Sequence, residues 1–196
     1  MRRLRTGSPA DLLVVGLGNP GERYAKTRHN VGAEVVELLA KRYGGRLKRS
    51  KERALVAEVR LDGQRVVLAV PTTFMNTSGE SVAPLVRRHG VTLDQLVVVH
   101  DDMDLPVAKL RIRRGSGTGG HRGLDSIVAN LRGRSDFVRV RLGVGRPPGT
   151  QDPADYVLRA FGSADREAIN IAIVEAADAV EMMLSQGVDA AMNHYN

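Results

Sequence analysis

Residues 11–21, DLLVVGLGNPG, decide how the chain is read. Positions 11–17 are a short, branched apolar run, which predicts a strand buried on both faces rather than one with a wet side. Gly18-Asn19-Pro20-Gly21 is a turn cluster that ends it. The same residues spell Gly16-x-Gly18-x-x-Gly21, the pattern of a dinucleotide-binding turn. In such a turn the third glycine sits in a helix that opens on a pyrophosphate. Here a polar segment follows instead, and the next apolar helical stripe begins only near Val31. Pro20 also lacks the N–H that would meet phosphate. The residues leave three readings: a tight turn after a buried strand, a site where Asn19 presents its amide to a substrate, and a nicotinamide-type enzyme.

Outward from this strand, elements alternate. Val31, Val35, Leu38 and Leu39 recur at helical spacing, and Gly44-Gly45 stops that helix. Residues 54–61 and 65–70 are strand-like, and Asp62-Gly63 between them predicts a tight hairpin. Residues 81–89 read as a short helix with Pro84 near its start. Residues 96–100, LVVVH, form a second buried strand that runs into Asp101-Asp102-Met103-Asp104. A stripe of Leu124, Ile127, Val128 and Leu131 predicts a helix after the glycine loop 115–120. The last long helix carries Ile169, Ala172, Ile173, Ala176, Val180, Met183 and Leu184, with Ser163 expected as its cap and Gly187 as its stop. The interleaving predicts an α/β fold: a single globular domain with a mixed, mostly parallel twisted sheet flanked by helices, the antiparallel part coming from the hairpin. The domain is expected over 11–196, with 1–10 as a flexible tail.

The chain has 196 residues, enough for one such domain. No apolar run approaches the ~20 residues of a membrane span, and the basic start has no apolar stretch behind it, so neither membrane nor secretory export is expected. Cysteine is absent, which excludes disulfides, thiolate metal sites and cysteine nucleophiles, and fits a cytoplasmic protein. Lys plus Arg number 29 against 22 Asp plus Glu, a net charge of +7 that suits a polyanionic partner. Aromatics are only 4%, so RNA would be held by its backbone rather than by a platform of stacked bases. Residues 109–113 and 138–142 alternate aliphatic and cationic residues. At a period of two, Lys109, Arg111 and Arg113 share one strand face, as do Arg139 and Arg141 on theirs.

Chemistry has several candidates. His29, beside Asn30, lies just before a helix. Asp101 ends a strand, where ligands gather in open α/β sheets, and a carboxylate there is able to orient a histidine base. Asn76, in the loop Phe74-Met75-Asn76, offers an amide to an oxyanion or a water. The loop Gly117-Thr118-Gly119-Gly120-His121-Arg122 opens a helix, where N–H groups suit an anion. Each has a plainer alternative: a capping histidine, loop acids and amides, a flexible surface loop, a solvated charged face. No metal-ligand spacing and no G-x-S-x-G serine motif is present, so if the chain is an enzyme the simplest chemistry is metal-free, a histidine activating water against an ester or similar carbonyl.

Taken together, VVGLGNPGERYAKTRHNVG (14–32), PTTFMNTSGESV (71–82), HDDMDLPVAKLRIR (100–113), GSGTGGHRGL (115–124) and FVRVRLGVGRP (137–147) resemble, in order and spacing, bacterial peptidyl-tRNA hydrolases. The likeness runs from about Leu12 to the final AMNHYN. It implies an esterase that frees tRNA from a peptide joined to its 3′ end, working as a monomer with no metal, no cofactor and no obligate protein partner. By position it implies His29 as base and Asp101 as its orienting partner. Asn19 and Asn76 would hold the peptide end and the water or oxyanion. Phe74 and Met75 would wall the cleft, Tyr24 would lie toward the tRNA end, His121 would form the rim, and Arg111 and Arg141 would grip tRNA phosphate. Arg122 stands where many family members have asparagine. A guanidinium cannot accept a hydrogen bond, so Arg122 is expected to meet RNA phosphate or developing negative charge. A non-catalytic RNA-binding protein is the rival from another class.

Overall fold

A computed structural model describes residues 8–196. Seven strands form one mixed sheet in the order β2-β3-β4-β1-β5-β7-β6. The strands are β1 (Leu12–Gly16), β2 (Lys48–Ser50), β3 (Ala54–Leu61), β4 (Gln64–Pro71), β5 (Leu96–Asp102), β6 (Leu110–Arg114) and β7 (Val138–Gly143). The four central strands, β4, β1, β5 and β7, run parallel, and both flanks are antiparallel. The Asp62-Gly63 hairpin supplies one flank: both residues have positive φ, as a two-residue turn of right-handed strands requires. The other flank, β6 against β7, was not expected, because residue alternation predicts a strand but not its direction.

Helices cover both faces. On one side α1 (Val31–Arg42) and α5 (Ser163–Gln186) bury their stripes against Val14, Val97, Val99, Val140 and Leu142. On the other, α2 (Gly79–His89) and α3 (Arg122–Asn130) cover Leu13, Val15, Val67 and Val98. A short α4 (Pro153–Val157) and a final α6 (Val188–Tyr195) complete the chain. With both faces covered, β1 is buried along its whole length, which is why it reads as an unbroken apolar run.

Two glycines set where the site lies. A Cβ on Gly16 would sit 2.1 Å from the Gly32 carbonyl oxygen, and one on Gly32 would sit 2.1 Å from that of Val99. The first turn of α1 therefore rests directly on the backbones of β1 and β5. Leu17 N–H donates to Val99 O and Ala33 N–H to Leu17 O, which locks this contact. The segment before α1 is thereby fixed over the C-terminal ends of the parallel strands.

Several local expectations change. The helix of residues 81–89 begins earlier, at Gly79. Ser163 is the first residue of α5 rather than its cap; Gly162, in an extended conformation, holds the cap position without a side-chain bond. The expected tail 1–10 falls mostly outside the described residues. Its end is anchored: Ala10 is buried and donates its N–H to His89 O.

Candidate active site

The C-terminal ends of β1, β4 and β5 open into one cleft of about 1050 Å³. No dinucleotide turn forms there. After β1 the chain enters 3-10 turns at Glu22–Tyr24 and Arg28–Asn30, and the next α-helix begins only at Val31.

Asp101 forms the floor. It is 2% exposed, and two histidines meet its carboxylate. His29 Nδ1 lies 2.8 Å from Oδ1 and 3.0 Å from Oδ2, and His121 Nε2 lies 2.8 Å from Oδ1. The bonding fixes both tautomers. His121 Nδ1 accepts the N–H groups of Gly123 (3.1 Å) and Leu124 (3.4 Å), so its proton is on Nε2 and is donated to Asp101. His29 likewise donates from Nδ1, which leaves its Nε2 with a lone pair. The two rings stand 5.0 Å apart.

The charges follow. Burial alone pushes the Asp101 carboxyl up, but the charges and hydrogen bonds of His29 and His121 outweigh it and hold it well below the usual carboxylate range. Burial alone pushes His29 down. The Asp101 charge and hydrogen bond overcome this and raise it above its ordinary 6.5, while Arg122 pulls the other way. His100, one residue before Asp101, is pushed down to about 3 by burial and by its neighbour His121. It is neutral, donates Nδ1–H to Asp101 O at 2.8 Å, and packs edge-on against His121.

Asparagines brace the other wall. Asn30 and Asn19 clasp each other: Asn30 Nδ2 donates to Asn19 O, and Asn19 N–H donates to Asn30 Oδ1, both at 2.9 Å. Asn19 Oδ1 accepts Met75 N–H at 2.8 Å, which orients the amide, and its Nδ2 has no protein acceptor among the described residues. Asn76 is exposed in the next turn, at the cleft. Arg28, buried beside His29, donates Nη1 to the carbonyls of Arg159 (3.2 Å) and Ala160 (2.9 Å) and lies over the Tyr156 ring. It ties the histidine segment to α4, which walls the far side.

The cleft thus gathers Asn19, Tyr24, His29, Phe74, Met75, Asn76, Asp101, His121, Arg122 and Arg141. Arg111 is not on its lining; it stands on edge strand β6 directly opposite Arg141 on β7. The first turn of α3, expected to offer N–H groups to an anion, is capped by His121 instead. Arg139, read with Arg141 as part of a cationic strand face for phosphate, is instead 1% exposed and donates to the carbonyls of Ser116 (2.8 Å) and Gly117 (2.6 Å), anchoring the glycine loop. His100 and Arg28 were missed as site residues, while Asn30 and Arg139 were named without the roles they take here. His100 and Arg28 carried one signal each, their adjacency to Asp101 and His29.

His29, Asp101 and His121 also present one potential metal-ligand atom each within 4.8 Å of one another. His29 Nδ1 and His121 Nε2 are engaged with the carboxylate in this arrangement.

A histidine oriented by a buried carboxylate, with its second nitrogen open and amide donors around it, is suited to hydrolysis. Fold and site define a hydrolase built on a mixed α/β sheet. A family model described as peptidyl-tRNA hydrolase matches residues 13–196. The peptidyl-tRNA hydrolase of Frankia casuarinae is 51% identical over 184 residues, covering 94% of this chain and 93% of its own. That of Moorella thermoacetica is 48% identical over 186 residues, covering 94% and 97%. The crystal structure of peptidyl-tRNA hydrolase from Acinetobacter baumannii superposes with a TM-score of 0.90 at 36% identity, covering 97% of each chain. The chain belongs to the peptidyl-tRNA hydrolase family and is an enzyme of that kind.

Proposed function

We propose that the protein hydrolyses the ester between a peptide, or an N-blocked aminoacyl group, and the 3′ end of tRNA, with His29 as general base. One observation carries this reading: His29 Nδ1 is engaged by Asp101 at 2.8 Å, so Nε2 is the basic atom. Nε2 takes a proton from water. The water oxygen attacks the ester carbonyl, and a tetrahedral oxyanion forms. The Asn76 amide and the Nδ2 of Asn19 donate hydrogen bonds to it or to the peptide carbonyl. The intermediate collapses, the 3′-oxygen leaves, and the proton held by His29 returns to it. Asp101 stays ionised throughout, steadying the imidazolium.

The remaining assignments follow from position. Phe74 and Met75 form the apolar wall for the peptide, and Tyr24 flanks the tRNA end. His121 holds the carboxylate from the other side. Arg111 and Arg141, opposite each other on β6 and β7, hold tRNA phosphate. Arg122 lies where negative charge enters. The chemistry needs neither metal nor cofactor. No helix among the described residues is long and apolar enough to cross a membrane. Among the described residues large exposed apolar side chains are few, and two of them, Phe74 and Leu158, line the cleft, which supports action as a monomer. The cytoplasm, where tRNA is used, is the proposed location.

The test is cleavage of N-acetyl-aminoacyl-tRNA, with the unblocked aminoacyl-tRNA and His29→Ala as controls, in EDTA. Metal-independent release of tRNA from the blocked ester, lost in the variant, is expected. Salt-sensitive tRNA binding without cleavage would favour the non-catalytic RNA-binding reading. A rise in melting temperature with NAD or NADP would favour the dinucleotide reading.

A further inference from the structure

β6 and β7 pair antiparallel with Arg111 opposite Arg141 and Arg113 opposite Arg139. Ile112, Val140 and Leu142 take the buried face of these strands, so the four guanidinium-bearing residues share the other. Directly opposed residues in such a pair have Cβ atoms only about 4.5–5.5 Å apart, and like charges there repel. Arg139 is spent on the glycine loop. Among the described residues, one carboxylate is in ion-pair contact with this group: Asp102, whose Oδ2 accepts Arg141 Nε–H at 2.7 Å.

That bond is made side-on, to Nε. It leaves Nη1 and Nη2 of Arg141 as a pair of donors with no protein acceptor among the described residues. The guanidinium edge that remains is the one able to meet two oxygens of a phosphate at once. Asp102 is itself held in place, because its Oδ1 accepts Asp104 N–H at 2.8 Å. The carboxylate is a bracket held at both oxygens, at the end of β5, next to the floor residue Asp101.

We propose that Asp102 is a positioning residue for RNA: it holds Arg141 so that the Nη edge faces the tRNA phosphate. This rests on the reading of Arg141 as a phosphate contact. Two effects of Asp102 oppose each other. Its negative charge repels phosphate, while its bond to Nε keeps Arg141 from splaying away from Arg111 and Arg139. The inference is that orientation outweighs repulsion.

Asp102→Asn separates them, because it deletes one negative charge at almost constant shape. If charge alone mattered, binding would tighten. The expectation is that affinity for deacylated tRNA, measured by fluorescence anisotropy at fixed salt, falls roughly fivefold, the worth of one ordered charge-assisted contact. Arg141→Gln is expected to lose a similar factor, and the double variant no more than Arg141→Gln alone. Tighter binding by Asp102→Asn, or losses that multiply in the double variant, would overturn the proposal. Asp102→Glu keeps the charge but displaces the bracket; it too is expected to weaken binding, and it serves if Asp102→Asn shows no cooperative melting transition. Binding is read without turnover, so failure of the ester-cleavage reading shows separately, in the absence of cleavage by the unaltered protein.

Discussion

At the end of β5, Asp101 is 2% exposed and both its oxygens are taken by histidines. Two strands away on β6, Arg113 stands exposed and Arg111 half-buried, in a group of four arginines that meets one carboxylate among the described residues. The two regions are joined through the cleft but answer different needs. Proton transfer requires one nitrogen to be basic and in place, so its surroundings are desolvated and the donors facing the Asp101 carboxylate are matched to it. Gripping a polyanion requires positive charge that is still partly unspent, so its surroundings are left open and incompletely paired. A change on the floor is therefore expected to act on turnover, and a change on the arginine face on affinity.

The largest effect expected is that of His29→Ala, which removes the proposed base. Turnover of N-acetyl-aminoacyl-tRNA should fall by about 10²–10⁴-fold with tRNA affinity retained. A parallel loss of affinity would merge the two regions. Asp101→Asn approaches the same size. An amide facing His29 Nδ1 allows the tautomer protonated on Nε2, which is no base, and rate measurements with the same substrate should show it. The floor carboxylate also links stability to pH. Its folded-state pKa lies below the 3.8 of a free carboxyl, so the stabilisation it contributes is present above 3.8 and lost as pH falls below it. Thermal melts across that range should show a steeper acid loss for the unaltered protein than for Asp101→Asn.

On the arginine face the expected effects are smaller. Arg111→Gln should reduce the slope of log affinity against log salt by about 0.7–0.9, the amount for one phosphate contact, with turnover at saturation unaltered. The smallest effect sharpens the border between the regions. Arg122 depresses the His29 pKa by its charge. Arg122→Asn should therefore move the acid limb of the kcat/KM profile upward, since the base must be neutral to act and would protonate at higher pH.

Much of the scaffold was legible because burial imposes periodicity. The unbroken runs of β1 and β5 and the stripe of α5 follow from faces that never meet water. Three short elements escaped, β2, α4 and α6, of three, five and eight residues, too short to show a periodicity of their own. Strand direction escaped as well, and with it the opposition of Arg111 and Arg141. The alternation of cations was plain, yet it could not show that Arg139 turns inward to hold a loop.

The site was legible as residue types at strand ends, not as a geometry. His29 and Asp101 are 72 positions apart, and Asp101 and His121 are 20 apart. Gly16 and Gly32 bring them together by letting α1 rest on the strand backbones, a contact no local pattern announces. The clasp of Asn19 with Asn30 is of the same kind. The Gly16–Gly21 motif misled for the converse reason: its spacing is local, but its meaning depends on a helix that does not follow.

The central claim is that Asp101 leaves His29 with an open, basic Nε2. A ¹⁵N NMR titration of the imidazole nitrogens tests it most directly. The account predicts that neutral His29 carries its proton on Nδ1 and takes its second proton at a pH above 6.5, while His100 stays neutral down to about 3. A neutral form protonated on Nε2, or a His29 pKa below 6.5, would contradict it.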